Sequence, residues 1–143
     1  LIGPPGVGKT HLAVALAIQA IQKGFTVYYR SVFDLAKDIA LQPEKTVMEA
    51  LLWPNLLIID ELGMKNLNYN ASELVLETIH RRYQGKSTII ATNRPIEDWG
   101  KILGDNATAS AILDRFLENV HIIKITGKSY RLKNAKEKKT END

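Results

Sequence analysis

The chain has 143 residues, 45% hydrophobic and 24% charged, the balance of one globular domain long enough to bury its own core. It has no cysteine, and its longest apolar run, Leu12 to Ile18, is far too short to cross a bilayer, which together point to a cytoplasmic protein without a membrane partner. The net charge of +3 gives nucleic-acid binding little support, because residues 121–143 hold seven Lys/Arg against three acids and residues 1–120 hold twelve against thirteen.

Short apolar strands alternate with helical stretches, the pattern of a parallel α/β sheet. Leu1-Ile2 reads as the stub of a strand feeding a glycine-rich turn, so the chain opens inside a motif and is expected to be part of a longer protein. A helix follows over residues 8–23, with Leu12, Ala13, Leu16 and Ile21 as its core face and Gly24 as its end. FTVYYRS, residues 25–31, is rich in β-branched and aromatic residues and predicts a strand. Ser31 with Asp34 resembles a capping box opening a helix to about Leu41, and Pro43 suits the first turn of another, PEKTVMEALLW.

LLIID, residues 56–60, is the uninterrupted apolar run of a strand buried on both faces. Asn70 with Glu73 predicts the start of a helix that runs to Tyr83 and stops at Gly85. STIIAT is the next strand. An irregular connection over 93–106, anchored by Trp99, leads to a helix over 107–119. VHIIKI closes the sheet, and KNAKEKKTEND, without apolar periodicity, reads as a solvated end.

The chemistry lies at the strand tips. GPPGVGKT, residues 3–10, has the spacing Gly-x4-Gly-Lys-Thr, in which glycines let backbone N–H groups turn toward one anion and the next helix adds its positive end. Lys9 is placed to reach the β- and γ-phosphates and Thr10 to hold Mg²⁺. Asp60 puts a carboxylate at the carboxyl edge of the sheet as a second Mg²⁺ ligand. Glu61 beside it suits a base for an attacking water, which favours hydrolysis over phosphoryl transfer to a metabolite. Asn93, at a third strand tip, is either a turn residue or a contact for that water or the γ-phosphate. His11, His80 and His121 are too scattered to form a transition-metal site.

Together GPPGVGKTHLAVALA, LLIIDELG, RRYQGKSTIIATNRP, DWGKILGD, SAILDRF and GKSYRLK resemble the IstB-like ATPases, AAA+ proteins that assist a transposase and are similar to DnaC-type helicase loaders. The resemblance implies a P-loop NTPase fold, a three-layer α/β/α core with a mostly parallel sheet, over residues 1–126, followed by a basic tail over 127–143. It also implies ATP and Mg²⁺ as cofactors, with Gly3, Pro4, Pro5, Gly6, Val7, Gly8, Lys9, Thr10 and His11 around the nucleotide. The implied partners are copies of the same chain, DNA, and a transposase or replicative helicase. Only 18 residues follow Ile125, too few for a separate lid, which rarely folds below ~40 residues. That matches the lidless branch. The strand before the phosphate loop is truncated, which predicts an unpaired sheet edge.

Arg115 lies off the apolar face formed by Ile112, Leu113, Phe116 and Leu117. It is either a surface partner of Glu118 or an arginine finger for a neighbour's ATP, and its place in ILDR matches the family's finger. Arg131 is a candidate γ-phosphate sensor or a tail anchor. Arg81 and Arg82 are candidates for a subunit boundary, although Glu77 offers Arg81 an i,i+4 partner. The rival readings are a helicase loader, a P-loop kinase of a small metabolite, and a binding module in which ATP serves assembly alone.

Overall fold

The computed structural model describes residues 1–132; the rest of the expected basic tail, residues 133–143, lies outside them. Three parallel strands form the sheet in the order β1 (Val27–Ser31), β2 (Leu56–Leu62), β3 (Ser87–Thr92). The register is set where the first two strands begin. Asn55 Oδ1 accepts from both the amide and the hydroxyl of Thr26, and Thr26 Oγ1 accepts from the Asn55 amide.

Alternation along the central strand sorts the core into two layers. Leu57, Ile59 and Leu62 join the larger cluster with Leu35, Leu51, Val75 and Ile79. Helices α2 (Val32–Leu41), α3 (Glu44–Leu52), α4 (Tyr69–Arg82), α5 (Trp99–Leu103) and α6 (Ala107–Leu117) supply that side. Leu56 and Ile58 face the other way and meet Ala13 and Ala17 of α1 (Lys9–Gln22). Because α1 docks through two alanines, its flanks stay bare. Leu16 and Ile21, expected in the core, are 41% and 58% exposed; Leu12 is half-buried, and Ala13 is buried as expected. Among the described residues no helix is long and apolar enough to cross a membrane.

Side chains cap three helices. Ser31 Oγ accepts the Asp34 amide and returns a bond to its carboxylate, as the capping-box spacing predicts. Asn106 accepts the Ala109 amide at the start of α6. The cap of α4 is Asn68, not Asn70: Asn68 Oδ1 accepts the Ala71 amide, and Asn70 lies within the helix.

Arg82 corrects a larger expectation. It is 1% exposed and so cannot face a neighbouring copy through its side chain. Its guanidinium donates to the carbonyls of Leu51, Leu52, Pro54, Asn55 and Ser87 and to Thr88 Oγ1. Leu51 and Leu52 end α3, so the cation also sits at the negative end of that helix. Arg81 pairs with Glu77 at the surface, as the spacing predicts. Trp99 is buried and stacks on Phe116, which fixes α6 against α5.

Leu1 and Ile2 run beside the end of β3. The Leu1 nitrogen donates to Ile90 O, the Thr92 amide to Leu1 O, and the Gly3 amide to Thr92 O. On the far side VHIIKI makes one parallel bridge, Ile2 to Lys124, instead of the predicted full strand, and Ile122 and Ile123 stay about half exposed. A ladder needs a partner of its own length, and two residues supply one bridge. Below them the edge of β3 from Ser87 to Ile89 lines an open groove of about 380 Å³ with Leu16, Phe116 and Val120.

Candidate functional site

The phosphate-loop sequence forms a turn from Gly3 to Gly8 that leads directly into α1. Gly6 has φ 81° and Gly8 φ 101°, a left-handed region that a side chain would strain. Gly8 is the N-cap of α1, which carries no side-chain cap, unlike α2, α4 and α6. The amides of its first turn are therefore left for whatever lies in front of the loop, with the positive end of a 14-residue helix behind them.

Lys9 Nζ turns back over the loop and donates to Gly3 O at 2.7 Å and Pro4 O at 2.8 Å. Desolvation holds its ammonium below the usual lysine range; Asp60 opposes that shift and Arg131 adds to it. Lys9 thus lies within electrostatic reach of both.

Thr10 and Asp60 meet across the sheet edge, with Thr10 Oγ1 donating to Asp60 Oδ2 at 2.7 Å. Asp60 is 1% exposed and its carboxylate accepts two further donors: Tyr29 Oη also donates to Oδ2, at 2.6 Å, and the Glu61 amide to Oδ1, at 2.8 Å. Burial, then the hydrogen bond to Asp60, push the Tyr29 phenol well above its ordinary range, so it stays a donor. Tyr29 was not foreseen. In YYRS only the neighbouring register, Ser31 beside Asp60 and Tyr29 beside Ile58, shows which aromatic stands next to the acid.

Glu61 has φ 60°, the one positive value among the described non-glycine residues, where β2 and β3 slip register between Ile59 and Leu62. The strand therefore runs past Asp60 instead of ending there, and the bulge re-aims the residue after the acid. Asn93, next to Thr92 at the end of β3, has a buried Oδ1 that finds no partner among the described residues. A buried carboxamide oxygen without a donor is costly unless something else supplies one.

The segment after the last bridge is tied to the loop. Gly3 packs so tightly on Ile125 O, and Gly6 on Ser129, that neither position has room for a Cβ, and the Tyr130 amide donates to Gly6 O. Arg131 follows Tyr130 directly, and its charge is one of those that lower the Lys9 ammonium's pKa. His11 is exposed on α1. Arg115 sits in the last turn of α6, exposed, and forms no ion pair with Glu118 or any other acid among the described residues. Nor does it hydrogen-bond to Lys9, Thr10, Asp60, Glu61 or Asn93. The structure thus assembles the phosphate loop, Thr10, Asp60 and Glu61 at one edge, with Asn93 at the neighbouring strand tip.

The donor set suits Mg²⁺. Thr10 Oγ1 and Asp60 Oδ2 are hard oxygens within 2.7 Å of each other, and among the described residues no group of three or more His, Cys, Asp or Glu could hold an ion alone. An ion here would take its remaining ligands from phosphate and water, as Mg²⁺ does.

A glycine-rich loop between a parallel sheet and α1, faced by an acid at the tip of the central strand β2, defines a P-loop nucleotide-binding domain of the AAA+ type. The sequence profile of the "IstB-like ATP binding protein" family matches residues 1–138. The chain belongs to that family. It is 37% identical over 136 residues to a Geobacillus stearothermophilus protein of insertion sequence IS5376, and 38% over 137 residues to a Pseudomonas aeruginosa protein of IS21, both named for ATP binding. These alignments cover 92% and 93% of the chain but 54% and 52% of the relatives, so the chain spans about half their length. Its fold is similar to a crystal structure of the DnaC helicase loader, with a TM-score of 0.68 and 29% identity over 89% of this chain and 76% of that one.

Proposed function

We propose that this domain binds ATP with magnesium and hydrolyses it at a site completed by a second copy of the chain, in the service of a transposase acting on DNA. The observation that carries the ATPase reading is the Thr10–Asp60 bond with Glu61 held just beyond it, which joins the phosphate loop to a carboxylate free to take a proton. The partner reading rests on family membership and on relatives named for insertion sequences.

In this account the nucleotide phosphates lie against Gly3, Pro4, Pro5, Gly6, Val7 and Gly8, with His11 at the outer end. The Lys9 ammonium exchanges its two loop carbonyls for β- and γ-phosphate oxygens, which a cation prefers as charged acceptors. Thr10 and Asp60 hold the metal, which when bound neutralises charge on the β- and γ-phosphates. Tyr29 keeps the Asp60 carboxylate in one orientation. Glu61 takes the proton of the attacking water, and the Asn93 Oδ1, which finds no partner among the described residues, accepts from that water. Arg115 reaches the γ-phosphate of the ATP on a neighbouring copy, and Arg131 approaches the γ-phosphate of the ATP held by its own chain.

A helicase loader with the same chemistry is the second reading, favoured by the likeness to DnaC. Phosphate release measured against protein concentration tests the ATPase claim. The rate per chain should rise with concentration, and Glu61→Gln should bind ATP yet release no phosphate. Transfer of the γ-phosphate to a small acceptor, or full release by Glu61→Gln, would overturn it.

A further inference from the structure

A cavity of about 480 Å³ adjoins the same sheet edge, walled by the loop after β2 and the segment leaving β3. Lys65 and Asn66 come from the first wall, Arg94 from the second, and Asp98 and Lys101 from the turn and helix beyond. Three cations thus line it against one carboxylate. Lys101 reaches Asp98 only at 3.9 Å, and Lys65 and Arg94 enter no ion pair among the described residues. Lys65, Arg94 and Lys101 are all exposed.

The walls are built closely. Gly63 has φ 87°, and a Cβ there would come within 2.5 Å of Arg94 Cγ, so the loop lies flat on the arginine stem. The two walls also carry the hydrolytic residues: Glu61 is two residues before Gly63, and Asn93 immediately precedes Arg94. We infer that this cleft holds the phosphate backbone of a nucleic acid. Exposed Lys, Arg and Asn on separate elements suit a chain of spaced phosphates, whereas one small anion is better held by converging buried donors. A backbone seated there touches both walls, so its binding reaches Glu61 and Asn93 through one or two peptide units.

The inference rests on the reading of this domain as one that works on DNA. The test is fluorescence anisotropy of a labelled 30-nucleotide strand and of the corresponding duplex, with a non-hydrolysable ATP analogue, across a salt series. Three proteins are compared: wild type, Lys65→Gln/Arg94→Gln/Lys101→Gln, and a charge-matched control, Lys23→Gln/Lys37→Gln/Lys45→Gln. The cleft variant should bind at least about tenfold more weakly, with a log–log salt slope shallower by about two for the single strand and nearly three for the duplex, a little under one per lost phosphate contact. The control should bind as wild type, and all three should bind the nucleotide alike. Equal weakening in the two variants means a global charge effect and overturns the cleft. So does unchanged DNA affinity in the cleft variant, including the case where it instead loses self-association, which would mean an acidic partner copy fills the cleft. If the wild type binds neither DNA, the broader reading fails first.

Discussion

Thr10 Oγ1 and Asp60 Oδ2 lie 2.7 Å apart although fifty residues separate them, and that one bond joins the phosphate loop to the far strand tip. Thr10 stands one helical residue past Lys9, and Asp60 ends a run of four fully apolar positions, so each is placed by its own element before they meet.

Thr10→Ala should weaken ATP binding about tenfold with magnesium present, because it removes a ligand and a hydrogen bond to a charged group together. With magnesium chelated the variant should bind as wild type. Calorimetric titration under both conditions checks this, and equal weakening in the two would assign Thr10 to the fold alone.

Tyr29→Phe tests the phenol on Asp60. The phenol pKa is raised from its unfolded value of 10.0. Its contribution to stability is therefore complete below pH 10 and falls as the pH rises through the folded pKa. The stability difference between wild type and Tyr29→Phe should be constant from pH 7 to 9 and shrink above pH 10. Urea denaturation across that range measures it. In addition, the variant should need more magnesium for half-maximal ATP affinity.

Arg82→Met should destabilise the fold by about 3 kcal/mol or more, since it removes a donor from five main-chain carbonyls, of which Leu52 O keeps Lys86 Nζ and Asn55 O keeps the Ser87 amide. Arg82→Lys should recover part of that loss, having the charge but not the planar fork. Arg81→Met, by contrast, removes only a surface pair with Glu77 and should change stability by less than ~0.5 kcal/mol. Equilibrium unfolding of the three variants separates the two arginines.

Much of this was legible in the residues. The phosphate loop, the buried run LLIID and the polar tips after it carry their chemistry in local spacing, and the fold places them as that spacing implies. Tyr29 was not legible, because a phenol on a strand acquires its role only from the register with the next strand. Arg82 is a similar case: a buried guanidinium satisfied by five carbonyls and one hydroxyl leaves no acidic partner to find in the sequence. The bare flank of α1 follows from docking on two alanines, which a pattern of apolar residues cannot distinguish from docking on its leucines.

The central claim is that one copy's Arg115 acts on another copy's ATP. Phosphate release from a mixture of Arg115→Ala and Glu61→Gln chains tests it most directly, with each variant alone as reference. Each should bind ATP and fall about a thousandfold or more in rate. The mixture should recover a substantial fraction of wild-type activity, because an intact Arg115 from the Glu61→Gln chain can meet an intact Glu61 in the other. A mixture no more active than either variant alone, under conditions where wild type hydrolyses ATP, would contradict the account.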